Sequence, residues 1–360
     1  MTGLMRNLVW HSSFASLTGY SGASRAFVAG LDAAGVAVRP LYLFNNDAHE
    51  AQESGPLPPR LRDLQRLPLR LDAPQVVFAR GDLFSKNSGQ PKIGYTMLET
   101  DRLPAAWVEQ ANQMDEVWTP TAWGAEVFRA SGITRPVFVV PLGIDPAVYM
   151  PAAPRTRLAE RTIFVSVFEW GRRKGVDLLL KAYRAAFQAS DNVLLILKID
   201  NRVPASNPLH EIAELLPSPA PPVGIIYNQR LSPTRMAELY QGADCFVLPT
   251  RGEGWCMPAL EAMACGIPAI VTNWSGPTAF LTVQNGYPLP IAGLEPTGSS
   301  NPYYRDAQWA APDADALVEL LRKVHTGRDE ARRRGAQAAL DARAWSWERA
   351  VKEVIERIRA

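Results

Sequence analysis

Residues 252–273, GEGWCMPALEAMACGIPAIVTN, leave little choice of local structure. Pro258 suits a first helical turn, because its fixed φ is helical and its missing N–H is not needed there. Residues 259–265 are a run of helix formers. Gly266 is placed to take the left-handed position after the helix, and Pro268 blocks continuation. Residues 269–272 then read as an apolar strand, and residues 244–249 (DCFVLP) as another. Strand, glycine turn, short helix and strand together form the repeating unit of a parallel α/β sheet.

That unit has chemical consequences. Open α/β sheets bind ligands at the carboxyl ends of their strands, beside helix N-termini. The N–H groups of residues 254–257 fall at such a helix start, which favours anionic or oxygen-rich ligands. Two carboxylates flank it: Glu253 before the helix and Glu261 on its early turn, with seven residues between them. Two acceptor-only groups suit a ligand rich in hydroxyls. Taken alone, such a pair is more simply a solvated loop glutamate and a surface helix glutamate, since helix starts attract Glu; the residues around it favour the site.

Composition narrows the class. A chain of 360 residues suggests about two domains. An apolar fraction of 47% supports real cores, and 21% charged residues is ordinary for a soluble protein. The net charge of +2 implies no broad nucleic-acid footprint. The cysteines, Cys245, Cys256 and Cys265, are odd in number and clustered, which points to reduced thiols and a cytoplasmic location. No apolar run approaches the roughly 20 residues of a membrane span, and residues 1–14 lack the apolar stretch of a signal peptide.

The stretch EGWCMPALEAMACGIPA resembles the signature of the retaining glycosyltransferases of family 4, E-G-F-G-x-P-x-x-E-A-x-A-x-G-x-P-V. Both glutamates match, as do Gly254, Pro258, Ala262, Ala264, Gly266 and Pro268. Trp255 stands for the usual Phe. Cys256 stands for the usual Gly and puts a side chain where the family has none. The resemblance implies a GT-B fold: α/β, with two doubly wound Rossmann-like domains facing an interdomain cleft. It implies that Glu253 binds hydroxyls of a donor sugar, with Gly254, Trp255 and Cys256 beside it, and that Glu261 binds the ribose of the nucleotide.

In chain order, residues 7–11 read as a first strand. A polar, glycine-bearing loop follows over residues 12–22, then a helix over residues 23–34 and a second strand over residues 36–44. The opening is similar to that of the same family, where such a loop brings Gly19 and Gly22 towards donor phosphates and acceptor. A tight turn explains the G-x-x-G as well. Residues 47–74 are irregular. Strands are expected at residues 76–79, 92–97, 115–120 and 136–141, with a helix over residues 122–131. The run PLGIDPAVY, residues 141–149, resembles the family's interdomain hinge. The domain division expected is therefore 1–150, 151–342 and a helix in 343–360 crossing back to the first domain.

Many relatives carry a histidine after the strand that here ends in Glu99-Thr100-Asp101, and neither His11 nor His49 matches it. Asp101 or Glu99 is a candidate to bind or deprotonate an acceptor hydroxyl. Against that, carboxylates at strand ends often cap helices, and Arg102 is a local partner.

The second domain begins near Ala153. Residues 162–168 form an apolar run of the kind buried parallel strands need. The turn after it carries Arg172, Arg173 and Lys174, and three cations at a strand-to-helix turn suit a diphosphate. A solvated basic turn is the plainer reading. Lys174 matches the family's diphosphate lysine. Glu169 occupies the position of the family's arginine, so Arg172 or Arg173 is its expected substitute. Further strands are expected over residues 192–199 and 224–227, and a helix over residues 233–241. The run Ser275-Gly276-Pro277-Thr278 resembles a family loop near the diphosphate.

Asp313-Ala314-Asp315 resembles a metal-binding D-x-D, but it follows Pro312 and opens a helix, where acidic residues suit the dipole. No metal and no cofactor are expected. Arg332-Arg333-Arg334 reads as a solvated helix face, with peripheral membrane contact as the lesser reading. The activity implied is metal-independent hexosyl transfer, with retention, from a nucleotide-diphosphate sugar to an acceptor hydroxyl, with Glu253, Lys174 and Asp101 as catalytic candidates. A phosphorylase and a sugar-nucleotide-binding protein without turnover are the alternatives.

Overall fold

The computed structural model describes residues 7–16, 18–43, 57–152, 161–203 and 205–359. His49 and the expected boundary at Ala153 lie outside them. The chain forms two compact units. Unit 1 comprises Met1–Gly143, Gly298–Ala307 and Trp345–Ala360, and unit 2 comprises Ile144–Thr297 and Gln308–Ala344.

Unit 1 is built on β1 (Asn7–Ser12), α1 (Gly19–Ala33), β2 (Ala37–Tyr42), α2 (Pro59–Leu64), β3 (Gln75–Phe78), β4 (Lys92–Tyr95), α3 (Ala105–Ala111), β5 (Glu116–Thr119), α4 (Ala122–Ala130) and β6 (Val137–Val139). The strands form one sheet in the order β2-β1-β3-β4-β5-β6. Every pairing in it is parallel. Its core is aromatic: Trp10 stacks on Phe27 at 4.8 Å, and Phe78 meets Tyr95 at 4.4 Å. The last helix, Trp347–Arg357, packs on α1, with Trp347 5.3 Å from Phe27. Gly30 permits this approach, since a Cβ there would lie 2.6 Å from a Val351 methyl.

Two expectations need correction here. The helix after β1 does not wait for residue 23. Thr18 caps it by accepting from Ser21 N–H, so Gly19 and Gly22 lie in its first turns rather than in an extended loop. The region read as irregular contains α2, opened by Pro59 at its first turn.

Unit 2 contains β7 (Thr162–Glu169), α5 (Val176–Ala186), β8 (Val193–Asp200), α6 (Pro208–Leu215), β9 (Val223–Tyr227), α7 (Pro233–Gln241), β10 (Cys245–Leu248), α8 (Met257–Ala264), β11 (Ala269–Thr272) and β12 (Tyr287–Leu289). These six strands are parallel, in the order β12-β11-β10-β7-β8-β9. Counted from its own first strand, the sheet runs 3-2-1-4-5-6, the dinucleotide-fold order. The direction of winding reverses between β7 and β10, which leaves a crevice at their carboxyl ends. Sequence reading missed the antiparallel hairpin β13 (Ile291–Pro296) with β14 (Gln308–Pro312). The segment Gly298–Ala307 between its strands belongs to unit 1. Helices Ala314–Thr326 and Arg328–Ala342 complete unit 2. Among the described residues no helix is long and apolar enough to cross a membrane.

Candidate functional site

The ends of β7 and β10 meet at the switch point of unit 2. After β7 the chain makes one 3₁₀ turn, Arg172–Lys174, and Gly175 closes it in the left-handed region at φ +69°. A Cβ on Gly175 would collide with the Pro249 carbonyl, so glycine lets the turn press against the end of β10. Residues just after β10 hold the turn in place. Arg251 N–H donates to the Arg173 carbonyl at 2.7 Å, and Thr250 Oγ1 lies 3.1 Å from the same oxygen. Arg251 Nη1 donates to the Arg172 carbonyl at 2.6 Å. The Arg251 side chain is 5% exposed; it forks onto Asp177 with two bonds of 2.9 Å and reaches Glu295 at 2.7 Å. Burial pulls its pKa down, but the bonds to Asp177 and Glu295 outweigh that and keep it charged.

The clamp delivers cations to one carboxylate. Lys174 Nζ donates to Glu253 Oε1 at 2.6 Å, and Thr250 Oγ1 donates to the same oxygen at 3.0 Å. Arg173 Nη1 lies 3.4 Å from it and donates to the Gly252 carbonyl at 2.6 Å. Glu253 is only 6% exposed. Burial pushes its pKa up, yet Lys174 and Arg173 together outweigh burial and hold it below the usual carboxylate range. From the far side Ser275 Oγ accepts from Glu253 N–H at 3.0 Å, and Gly276 N–H donates to the Glu253 carbonyl at 2.8 Å. Trp255 is buried against Phe280 at 5.5 Å. Cys256 caps α8 in the left-handed region, φ +80° and ψ +59°.

Glu261, one turn into α8, has different company. Tyr240 OH, on α7, donates to its Oε2 at 3.0 Å, and Tyr149 bonds to it as well. Burial raises its pKa to about 7, with the two tyrosine bonds opposing the rise. The structure therefore joins Lys174, Arg173 and Glu253 in one cluster and gives Glu261 a separate, neutral hydrogen-bonded setting.

Residues 154–287 match the family model "Glycosyl transferases group 1". The chain superposes on sucrose-phosphate synthase from Thermosynechococcus elongatus, covering 98% of each chain with a TM-score of 0.72 at 14% identity. The fold is GT-B, the two-domain fold of glycosyltransferases. Among curated proteins, the chain is 27% identical over 297 residues to a D-inositol 3-phosphate glycosyltransferase of Nocardia farcinica, covering 79% of this chain and 56% of that one. It is 22% identical over 199 residues to a putative glycosyltransferase of a Sulfolobus islandicus filamentous virus, covering 52% of each. The GT-B chain thus spans about half the length of the curated relatives it matches.

Other candidates in this GT-B chain have different surroundings. Arg172 turns to the hairpin, donating to the Thr297 carbonyl at 3.3 Å and to Glu295 at 3.4 Å, so only Arg173 accompanies Lys174. Asp101, in unit 1, pairs with its neighbour Arg102 at 3.0 Å, as the plainer reading has it. A Cβ on Gly19 or Gly22 would meet nothing within 4 Å, so packing does not demand glycine there. Asp313 caps its helix by accepting from Ala316 N–H at 3.0 Å. Among the described residues no group of His, Cys, Asp and Glu is arranged to hold a metal. His11 bonds to the Tyr42 carbonyl at 3.2 Å and to Gln75 at 3.0 Å, and burial lowers its pKa to about 4. Sequence reading missed the Thr250–Arg251 clamp and the two tyrosines on Glu261, although T-R stands immediately before the GEG that drew attention.

Proposed function

We propose that this GT-B chain is a retaining glycosyltransferase of family 4. It would move a hexosyl group from a nucleotide-diphosphate sugar to an acceptor hydroxyl without a metal ion. One observation carries the reading: Lys174 and Arg173 converge on Glu253 at the switch point between β7 and β10. That is where a doubly wound sheet binds a nucleotide. The family model match over the same region supports it, as do relatives named for sugar transfer.

In the reaction the bond between the anomeric carbon and the diphosphate oxygen breaks, and its electron pair leaves with the diphosphate. Lys174, with Arg173 behind it, stabilises that developing charge, a preorganised electrostatic role. Glu253 accepts hydrogen bonds from sugar hydroxyls, and Glu261 from the ribose. The acceptor oxygen attacks from the face the diphosphate leaves, and its proton passes to a diphosphate oxygen. The buried cysteines Cys245, Cys256 and Cys265 are all free, which supports a reducing, cytosolic setting.

The test is turnover. A panel of UDP-, GDP- and ADP-sugars is incubated with the chain, and nucleotide diphosphate release is followed for wild type and Glu253→Ala. The reading expects release with at least one donor, a loss of about 100-fold or more in the variant, and an α-linked product from an α-linked donor by NMR. Binding without release, or release that depends on inorganic phosphate, overturns it.

A further inference from the structure

The amino end of the unit 1 sheet carries a feature of its own. β1 and β2 run side by side there, with Asn7 paired to Ala37 and Val9 to Arg39. Paired residues of neighbouring strands share a face of the sheet, and successive residues alternate between faces. Asn7, Val9, Ala37 and Arg39 therefore stand on one face, and Val38, wholly buried, stands on the other. Residues 67–70, which follow α2, lie over the first face and leave a cavity of about 120 Å³. Val9, Arg39, Leu67, Pro68 and Arg70 are among the residues that line it.

Arg39 breaks the ordinary pattern of a buried parallel strand. Its neighbour Val9 is 2% exposed, and the position beside it calls for an apolar side chain. A half-buried guanidinium stands there instead. Its Nε and Nη1 are shut off from water and bond to nothing in the protein. Desolvating a charged donor without a bond in return is costly. Those two nitrogens need not touch a ligand. What access the guanidinium has is at Nη2, and the burial of the other two keeps its charge in a low dielectric, where it acts more strongly.

The surroundings have one sign. Among the described residues no acid lines the cavity, and Arg70 brings a second guanidinium to it. Arg70 forks onto the exposed Asp72 through Nε and Nη2, at 3.0 and 2.8 Å, and Nη1 is not part of that fork. Residues 57–72 carry four arginines against two aspartates. The cavity volume equals roughly four waters, room for one oxyanion and not for a nucleotide. Guanidinium groups grip carboxylate or phosphate oxygens two at a time. A planar carboxylate has oxygens for one such grip, whereas a tetrahedral phosphate has enough to meet two arginines from different directions.

We infer that this cavity binds a phosphate group against Arg39 and Arg70, either as inorganic phosphate or as the end of a small phosphate ester. The inference is independent of the glycosyl-transfer reading. The cavity belongs to the amino end of the sheet in unit 1, whereas Lys174, Arg173 and Glu253 belong to unit 2.

The experiment follows thermal unfolding of the whole chain, and phosphorus NMR line width, with inorganic phosphate and with D-glucose 6-phosphate. Potassium chloride at equal ionic strength and potassium acetate are the controls. Phosphate should raise the wild-type Tm above the chloride control, as a ligand of the folded state does. Binding should weaken about 5-fold or more in Arg39→Met and in Arg70→Gln, each of which removes a charge-assisted grip. It should persist in Lys174→Met, the control for phosphate held at the cations of unit 2. Without phosphate, Arg39→Met should melt no lower than wild type, because it removes an unpaired buried charge. Arg70→Gln changes an exposed side chain and serves if the methionine variant loses its fold. The stronger of the two phosphate responses identifies the free ion or the ester as the occupant. Equal phosphate binding by wild type and both pocket variants, loss of binding in Lys174→Met alone, or acetate binding as well as phosphate overturns the inference.

Discussion

Lys174 Nζ and Glu253 Oε1, 79 positions apart in sequence, lie 2.6 Å apart beyond the carboxyl ends of two neighbouring strands. The pair is partly dry, with side-chain exposures of 16% and 8%. A nucleotide diphosphate arriving there would compete with Glu253 for the lysine, so the ion pair positions the cation before substrate binds. Replacing Lys174 by Met leaves Glu253 with only Arg173 and Thr250. That variant should lose about 1–3 kcal/mol of stability, the cost of removing one partner from a buried charge. Its donor turnover should fall about 100-fold or more. Thermal unfolding and nucleotide release measure the two losses, and an unchanged turnover would contradict the assigned role.

Glu261 gives the site a pH dependence. Its folded pKa is raised to about 7, chiefly by burial. A carboxyl that holds its proton more tightly when folded contributes stability below the ordinary carboxylate pKa. That contribution is lost as pH rises to about 7. Glu253 has the opposite sign, since its folded pKa is depressed. Its contribution is present above the ordinary value and disappears as pH falls through the folded one. The ligand-free chain should therefore lose stability between about pH 5 and about pH 8, and Glu261→Gln should remove that slope. Tm measured across this range checks it. Donor affinity should move the other way, improving as Glu261 ionises.

Arg251 is a positioning residue whose shape counts as much as its charge. Its fork meets both oxygens of Asp177 while Nε reaches Glu295. Lysine cannot reproduce that geometry. Arg251→Lys should cost about 2–4 kcal/mol and loosen the turn that carries Lys174. The readout is the split between constants: kcat for donor cleavage should fall with Tm, and added donor should not restore it.

Gly175→Ala attacks the same turn through the backbone. The position has φ +69°, and the new Cβ would collide with the Pro249 carbonyl. The left-handed conformation alone costs about 1–2 kcal/mol for a residue with a Cβ, and the collision adds to it. A Tm drop together with loss of donor turnover is expected. Full activity at wild-type Tm would contradict the close approach of the two loops.

Cys256 supplies a test of ordering. It holds φ +80° although it is not glycine, and its side chain is buried. Cys256→Ala loses the thiol and keeps the strain. Cys256→Gly loses the thiol and relieves the strain. The glycine variant should be the more stable of the two by about 1 kcal/mol, measured by urea unfolding, the reverse of the usual order beside a helix.

Local patterns made much of unit 2 legible. Pro258 and Gly266 bracket α8 because φ restrictions act within a few residues, and Gly266 does take φ +81°. Helix α7 and strand β11 have the bounds their apolar spacing suggests. The signature around Glu253 and the lysine of the K-G turn were visible as residue types at fixed spacing. The start of α1 was misread because glycines suggested a loop, while the capping bond from Thr18 decides the matter.

What the sequence by itself determined is the succession of strands and helices, and the chemical types placed at their ends. Those follow from dihedral preferences and apolar period, which are short-range. Only the tertiary structure decided that Arg173 rather than Arg172 joins Lys174, that Tyr149 and Tyr240 enclose Glu261, and that Tyr303 packs beside Arg80 and Trp107. Each of these arrangements joins side chains far apart in the chain or depends on such a partner, and it is fixed by sheet order and packing, for which no local spacing carries a signal.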